Sequence, residues 1–198
     1  MNDGISFRVV CEADAPALLE IYAPYVLNTA VSFEYDVPSI EEFQQRIRST
    51  LQKFPYIAAV QNGKIIGYAY ASPFKLREAY KYSVELSIYL SGECRRKGVG
   101  SRLYGLLEQI LAEQGILNLN VCITYGKKEE NPYTSQDSVL FHEKMGYRLV
   151  GKFSKCGFKF GTWIDMVWME KLLDNGIGRN STPMEFKKFS LVRSQFGL

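Results

Sequence analysis

The stretch Arg95-Arg96-Lys97-Gly98-Val99-Gly100-Ser101-Arg102-Leu103-Tyr104 lies between a segment typical of a strand and one typical of a helix. The residues before it, SVELSIYL (83–90), alternate between apolar and polar side chains. From Val99 to Gln114 apolar residues recur every three or four positions, and Gly115 is a typical helix end. A glycine-containing turn at a helix N-terminus directs free backbone N–H groups and the positive end of the helix dipole towards one point. The stretch therefore predicts an anion-binding turn, with phosphate as the expected ligand.

Two common phosphate motifs do not occur in this turn. The P-loop pattern GxxxxGK[ST] is not found, and GxGxxG is not completed, because Leu103 stands where the third glycine is required. These differences favour a pyrophosphate that is held without bound magnesium and without a dinucleotide-binding unit.

The remaining sequence pattern places helices and strands in a mixed order. Ser39 followed by Glu42 is a capping box that opens a helix through about Lys53, and Asn62-Gly63 between apolar runs predicts a β-hairpin. The other predicted elements are a strand at 5–10, a helix from 15 to about 25 with Pro24 in its last turn, a strand at 116–123, a polar loop at 125–137, a helix at 138–145, and strands at 147–153 and 162–172. Three consecutive strands combined with isolated strand–helix units predict an α+β fold with a mixed sheet.

Composition restricts the function classes. The 198 residues are 46% hydrophobic, which suffices for one packed domain, and 24 basic against 21 acidic residues are too balanced for a protein that binds nucleic acid by bulk electrostatics. Four dispersed cysteines and one histidine predict no metal site and no disulfide framework. Because no signal peptide or membrane span is predicted, we expect a soluble cytoplasmic protein without a membrane partner.

The end of the chain loses clean periodicity after Asp174. We therefore expect one domain at 1–174 and a C-terminal extension at 175–198. Its dispersed basic residues are more typical of a solvated or docking segment than of a nucleic-acid site.

The glycine turn carries a resemblance to a known family. Arg95-x-x-Gly98-x-Gly100 resembles the [QR]xxGx[GA] signature of the GNAT acyltransferase superfamily, and the segment from Ser138 to Tyr147, with His142-Glu143 in its middle, falls where that family has a matching segment. The resemblance spans roughly residues 5–172. Within the superfamily the chain is similar to the phosphinothricin and methionine-sulfoximine N-acetyltransferases, and the motifs that carry this closer match are Phe33-Glu34-Tyr35, the segment 74–80, Val84-Glu85, His142-Glu143 and the segment 157–163.

The resemblance implies a mostly antiparallel sheet flanked by helices, and acetyl-CoA as cosubstrate. The pyrophosphate would lie on the turn, and the pantetheine arm and the reaction's oxyanion would lie along the preceding strand. The implied acetyl-CoA residues are Leu86, Ser87, Ile88, Tyr89, Arg95, Arg96, Lys97, Gly98, Val99, Gly100 and Ser101. The family often has an asparagine before the short helix that contacts pantetheine, whereas this chain has Ser135, Gln136, Asp137 and Ser138 there. Ser138 is the residue that could replace it.

Two residues are candidates for proton transfer. Glu85 lies on the polar side of the strand before the turn, and by resemblance it is the base that deprotonates the acceptor amine. His142 is the only histidine, and by resemblance it is a general acid or a thiolate stabiliser. The alternatives are a solvated or ion-paired strand glutamate and a histidine at the core edge that is hydrogen-bonded to the backbone.

Acceptor binding is expected around the segment 74–82. An arginine offers a bidentate fork suited to a carboxylate. By resemblance, Arg77 and Lys75 would bind an amino acid's α-carboxylate, and the alternative is a solvated charged loop. The resemblance implies that the pocket walls are Tyr80, Tyr82, Phe33 and Tyr35.

The sequence therefore predicts direct acetyl transfer to a small amino-acid-like amine by a homodimer, the last by resemblance alone. A second hypothesis changes the acceptor to a protein or polyamine amine, although Lys75 and Arg77 argue against a polyamine. A third is a non-catalytic acyl-CoA sensor, against which the pair Glu85 and His142 argues.

Overall fold

One sheet organises the molecule. The computed structural model describes residues 4–94, 97–173 and 182–186, and their strands are β1 (Ile5–Val9), β2 (Tyr56–Gln61), β3 (Lys64–Pro73), β4 (Ser83–Leu90), β5 (Asn118–Tyr125), β6 (Arg148–Lys159) and β7 (Thr162–Leu172). These seven strands form a single sheet in the order β1-β2-β3-β4-β5-β7-β6. Only β4 and β5 pair in parallel, and the other neighbours are antiparallel. The predicted α+β fold with a mixed sheet is confirmed.

Helices cover both faces of this sheet. The helices in the described residues are α1 (Ala15–Asn28), α2 (Ile40–Lys53), α3 (Val99–Glu113) and α4 (Asp137–Lys144). Helices α3 and α4 pack on one face of the sheet and form the first hydrophobic core with it. Helices α1 and α2 pack on the opposite face, over β2 and β3, and form the second. The alternation within β4 serves both cores, because Val84 and Leu86 belong to the first and Tyr89 packs against the second.

Local signals in the sequence explain several element boundaries. The Ser39 hydroxyl accepts a hydrogen bond from the Glu42 N–H at 3.1 Å, and the Glu42 carboxylate accepts one from the Ser39 N–H at 2.8 Å, which confirms the capping box. Asn62 and Gly63 have φ of 51° and 76°, as the predicted hairpin requires. Helix α1 continues past Pro24 to Asn28, because the buried side chains after the proline keep its last turn packed.

The boundaries of β5 and β6 differ from the predictions by more than one residue. Strand β5 begins at Asn118 and not at 116, since the Ile116 N–H still bonds the Leu111 carbonyl at the end of α3. Strand β6 continues to Lys159 and not to 153. Its second half contains a register irregularity between Phe153 and Gly157, so the apolar alternation on which the prediction relied is lost there.

The described part of the C-terminal extension packs against α3. The Met184 N–H donates to the Gln114 carbonyl at 3.0 Å, and Phe186 is 1% exposed within the α3 core. Residues 174–181 and 187–198, with the basic residues of the extension, lie outside the described residues. The boundary between a domain at 1–174 and an extension at 175–198 stays a prediction. Of the helices in the described parts of the chain, none has the length and hydropathy needed to cross a membrane.

Candidate active site

The sheet opens between β4 and β5. The two strands pair only over Ser83–Glu85 and Asn118–Asn120, although β4 continues to Leu90 and β5 to Tyr125. Each strand keeps its antiparallel partner on the other side along its whole length. A gap therefore widens through the middle of the sheet from Glu85 onwards.

The backbone of β4 presents polar groups to this opening. Backbone hydrogen bonds of Ser83 and Ser91 with the chain at the two ends of β3 show that the odd-numbered residues of β4 bond β3. The backbone N–H and C=O groups of the even-numbered residues therefore point to the β5 side. The Leu90 N–H and C=O are both bonded to the Tyr25 hydroxyl, at 3.2 and 2.7 Å. The Ile88 N–H and C=O lie between the last paired residue and Leu90, so they face the opening.

The glycine turn adjoins the end of β4. Gly98 is the N-cap of α3 and has φ of 77°, a conformation that side chains disfavour. A Cβ atom on Gly100 would lie 3.2 Å from Leu90 Cδ1, so the start of α3 packs closely on β4. Val99 and Gly100 are buried, while Lys97 and Ser101 are exposed. Arg95 and Arg96 lie outside the described residues, and the turn's predicted anion-binding role stays a prediction.

Glu85 lies where the opening begins. It is the last residue of β4 that pairs with β5, and its half-buried side chain shares the α1–α2 face of the sheet with Ser87 and Tyr89. Burial raises the pKa of the Glu85 carboxyl, and the charge of Lys75 lowers it by a smaller amount. A carboxyl group with a raised pKa binds a proton more readily than a free one. At the edge of the opening it therefore has the properties of a proton acceptor.

Lys75 and Arg77 are placed differently. The Lys75 ammonium lies over the rings of Phe74 and Trp168, at 5.0 and 5.5 Å from their centroids, and its charge acts on Glu85. Arg77 is exposed, and its guanidinium makes no hydrogen bond or ion pair with the described residues. Of these two cations, Lys75 is therefore the one whose charge acts on the Glu85 carboxyl.

The predicted aromatic walls fall into two groups. The Tyr80 ring packs against the Phe74 ring, with 5.7 Å between their centroids. The Tyr82 carbonyl accepts hydrogen bonds from the N–H groups of Leu117 and Asn118, at the start of β5, at 3.0 and 3.1 Å. Phe33 and Tyr35 lie in the loop between α1 and α2. The Tyr35 hydroxyl donates to the Phe158 carbonyl, and Phe33 packs on Gly157 so closely that a Cβ there would lie 2.3 Å from its ring. This loop is thus held against the β6–β7 hairpin.

His142 is buried on the opposite face of the sheet from Glu85. Its Nδ1 lies 2.7 Å from the Ser138 carbonyl, which can only accept, so Nδ1 carries the proton. Its Nε2 lies 3.1 Å from the Tyr104 hydroxyl, which therefore donates. Burial lowers the pKa of His142 to about 4, and the Ser138 hydrogen bond opposes this shift only in part. The imidazole is neutral at pH 7, and the Ser138 hydroxyl lies 3.5 Å from Nδ1.

Three residues of the site surroundings were missed by the sequence analysis. Tyr25 was counted only as an apolar helix position, yet it caps the end of β4. Cys122, on β5, lies close enough to Glu85 for the carboxylate to raise the thiol's pKa, after the larger effect of burial, to about 12. Lys159, 2% exposed, donates to the carbonyls of α1 and the following loop. None of the three carried a signal in the sequence, because each acts on a residue far from it along the chain.

Among the residues that the structure describes, no three histidine, cysteine, aspartate or glutamate side chains are grouped so that they could hold a metal ion.

Comparisons with known proteins agree with this geometry. The profile of the Acetyltransferase (GNAT) domain matches residues 7–168. The chain is 34% identical over 170 residues to a phosphinothricin N-acetyltransferase of Alcaligenes faecalis, covering 85% of this chain and 83% of that protein. It is 26% identical over 171 residues to an L-methionine sulfoximine/L-methionine sulfone acetyltransferase of Salmonella typhimurium, covering 86% and 95%.

A solved structure gives the same result. A phosphinothricin acetyltransferase from Sinorhizobium meliloti, in complex with AcCoA, superposes with a TM-score of 0.79 at 34% identity, covering 92% of this chain and 94% of that one. The sheet opening, the glycine turn and these similarities lead to one conclusion: the chain belongs to the GNAT acetyltransferase family.

Proposed function

We propose that the protein transfers the acetyl group of acetyl-CoA directly to the amine of a small amino-acid-like substrate of the phosphinothricin or methionine-sulfoximine type. The observation that carries this proposal is the position of Glu85, a half-buried carboxyl with a raised pKa at the origin of the opening between β4 and β5. The names of the relatives support the choice of acceptor.

Acetyl-CoA fits the opening and the turn. The α3 N-terminus with the left-handed Gly98 offers free N–H groups to the pyrophosphate, and Lys97 and Ser101 are exposed beside it. The exposed backbone of β4 would pair with the pantetheine amides. The Ile88 N–H is the donor that we assign to the oxyanion of the thioester carbonyl.

Glu85 would start the reaction. Its carboxylate takes a proton from the substrate ammonium, and the freed amine attacks the thioester carbon to form a C–N bond. The C–S bond then breaks as the oxyanion collapses, and the second proton of the attacking nitrogen passes to the CoA thiolate, so the products are the amide and the CoA thiol. Lys75, beside Glu85, would bind the substrate's carboxylate, and Arg77 would have to turn inwards to share that role.

His142 would act as a neutral group. Because the pKa of His142 is about 4, an imidazolium is not present at pH 7. We propose that His142, held by the Ser138 carbonyl, positions the Tyr104 hydroxyl. Both protons of this pair are engaged, so the Tyr104 hydroxyl would turn from Nε2 towards the sulfur to donate a hydrogen bond to the departing thiolate. Ser138 is then needed mainly for its carbonyl.

The test measures acetyl-CoA consumption and thiol release at pH 7 to 9 with phosphinothricin, methionine sulfoximine, free amino acids, spermidine and a lysine peptide. We expect turnover with the amino acids, and Glu85→Gln should lower kcat/KM at least about a hundredfold. Glu78→Gln, at a nearby exposed position, is the control and should leave turnover unchanged. Turnover with spermidine or the peptide alone would overturn the acceptor, and Glu85→Gln at full activity would overturn the base.

The sensor hypothesis makes a different prediction for the same samples. A non-catalytic acyl-CoA module would bind CoA without turning over any amine, and Glu85→Gln would not change that binding. The neutral His142–Tyr104 pair alone is compatible with such a module, but the raised pKa of Glu85 favours the enzyme.

A cytoplasmic homodimer remains part of the proposal. The outermost strand, β6, exposes Leu149, Val150 and Phe153, each more than half accessible, and an edge strand with exposed apolar residues favours self-association. Sedimentation at micromolar concentration should give twice the mass of one chain, and a single-chain mass would overturn the dimer.

A further inference from the structure

A cavity lies next to Glu85 on the same face of the sheet. It has a volume of about 390 Å³ and lies between α2 and the strands β2, β3 and β4. Five tyrosines and Arg46 form most of its polar lining: Tyr22, Tyr56, Tyr68, Tyr70 and Tyr89. Its volume is within the range of small-molecule sites, and its hydroxyl-rich wall is unusual for a space inside a packed domain.

Strand register connects this cavity to the proposed base. Ser72, in the cavity wall, pairs with Glu85, and Tyr70 pairs with Ser87. Residues that pair directly across two antiparallel strands point to the same face of the sheet. Along this face the order is Lys75, Glu85, and then the cavity, so the cavity begins on the side of Glu85 that is opposite to Lys75.

The Tyr68 hydroxyl, in the cavity wall, has no hydrogen-bond partner within the part of the chain that the structure describes. Tyr68 is 0% exposed, and its hydroxyl makes no hydrogen bond with the described residues. Buried polar groups in native proteins are almost always paired, so this hydroxyl calls for a partner in the cavity. The other tyrosine rings around it would exclude bulk water from such a partner.

The charges at the cavity's rim limit what can bind. Arg46 and Glu34 form an ion pair of 2.7 Å, so they neutralise each other, and the second oxygen of Glu34 is buried without a hydrogen-bond partner among the described residues. A carboxylate oxygen accepts hydrogen bonds and repels anions, whereas a tyrosine hydroxyl can donate. An uncharged group with both a donor and an acceptor therefore matches this wall better than an anionic group.

We propose that this tyrosine cavity is the subsite for the side chain of the acceptor, and that it selects amino acids whose uncharged side chain forms hydrogen bonds. Of the two acceptor types named above, it would favour methionine sulfoximine over phosphinothricin, whose phosphinate is anionic at pH 7. The inference rests on the proposed function. A bound amino acid would place its carboxylate at Lys75, its amine at Glu85, and its side chain past Ser72 towards Tyr68. The subsite thus supplies the specificity that the exposed Arg77 does not.

The test compares three acceptors of similar length in wild type and Tyr68→Phe. Methionine sulfoximine has a donor and acceptors at the end of its side chain, methionine sulfone has acceptors only, and norleucine has neither. Wild type should prefer them in that order. In Tyr68→Phe, kcat/KM for the first two acceptors should fall about tenfold or more, because their KM rises. The kcat/KM for norleucine and the pH profile of kcat should stay unchanged. Removal of a hydroxyl without a partner should not lower the melting temperature, so loss of folding does not confuse the result.

The outcomes separate this inference from the proposed function. If wild type acetylates amino acids but Tyr68→Phe affects all three acceptors equally, or none, the subsite is wrong and the function stands. If no amine is acetylated, the function fails, and the shift in melting temperature on adding methionine sulfoximine decides the subsite. A shift that Tyr68→Phe abolishes supports the subsite, and the absence of a shift in wild type overturns it.

Discussion

The ionised form of Glu85 that accepts a proton also destabilises the folded protein, so stability should depend on pH. Its folded pKa is raised above 4.5 by burial, so its favourable contribution is present below pH 4.5 and is lost as pH rises through the raised value. Glu85→Gln, which cannot ionise, should therefore be more stable than wild type at pH 7.5, and this advantage should disappear near pH 4. Thermal unfolding across that range measures it, and an advantage independent of pH would contradict the assigned pKa.

The same carboxyl should set the acid limb of the rate profile. Because the base must be ionised to accept a proton, kcat/KM should rise with pH through a value above 4.5, and exposed Glu78→Gln should show the same limb.

For His142, the dependence of stability on pH has the opposite sign to that of Glu85. Its pKa falls from 6.5 to about 4 on folding, so the unfolded chain binds the extra proton between these values and the protein loses stability as pH decreases through them. The loss should total about 3 kcal/mol when complete. As the only histidine, its imidazole resonances can be assigned directly by NMR, which should show the Nδ1–H tautomer at pH 7. A titration midpoint near 6.5 in the folded protein would refute the buried neutral state.

At the level of elements, the start of α3 depends on one glycine. Gly98 has φ of 77°, so Gly98→Ala should destabilise the fold by about 1 kcal/mol and weaken acetyl-CoA binding about tenfold through distortion of the turn. The matched control is Gly105→Ala, in the middle of the same helix, where an added Cβ meets nothing within 4 Å. That variant should gain about 0.5–1 kcal/mol from helix propensity and bind acetyl-CoA normally. Scanning calorimetry measures the stability of both variants, and titration calorimetry measures their affinity for acetyl-CoA. Equal affinities of the two variants would exclude the turn from the site.

The β6–β7 hairpin is joined to the end of α1 by a buried cation. The Lys159 ammonium donates to the carbonyls of Val26, Thr29 and Ser32 at 2.7, 3.1 and 2.7 Å, and the negative end of the α1 dipole favours a cation there. Lys159→Met removes all three hydrogen bonds and should release the loop that carries Phe33 and Tyr35. We expect KM for the acceptor to rise about tenfold, with KM for acetyl-CoA unchanged.

Lys155→Met is the control for this change, because Lys155 lies on the same hairpin with an exposed side chain. Steady-state kinetics with each substrate varied in turn distinguishes the two. A parallel rise of both KM values in Lys159→Met would mean general destabilisation, and would contradict a local role of the anchor.

Over the whole molecule, local patterns predicted more than long-range contacts. The capping box at Ser39, the Asn62-Gly63 turn and the apolar stripe of α3 are short-range signals, and each element formed where it was expected. Glu85 was predicted on the polar face of β4, and it lies there. The opening beside it depends on where two strands stop pairing, which no residue pattern encodes. The neutral state of His142 likewise depends on its burial, to which no short-range pattern points, and its Nε2 partner Tyr104 lies 38 positions away in sequence.

The C-terminal extension is the part of the chain whose structure composition predicted least, yet its described residues join the core. Phe186 is 1% exposed in the α3 core, and Gln114 fixes the preceding residues by donating to the Met184 carbonyl at 2.7 Å. Phe186→Ala should therefore destabilise the protein by about 3–5 kcal/mol, because it leaves a cavity in the core. Met184→Ala, at a residue 50% exposed, should change stability by less than about 0.5 kcal/mol. Urea unfolding of the full chain measures both, and a Phe186→Ala variant as stable as Met184→Ala would show that residues 182–186 do not belong to the folded core.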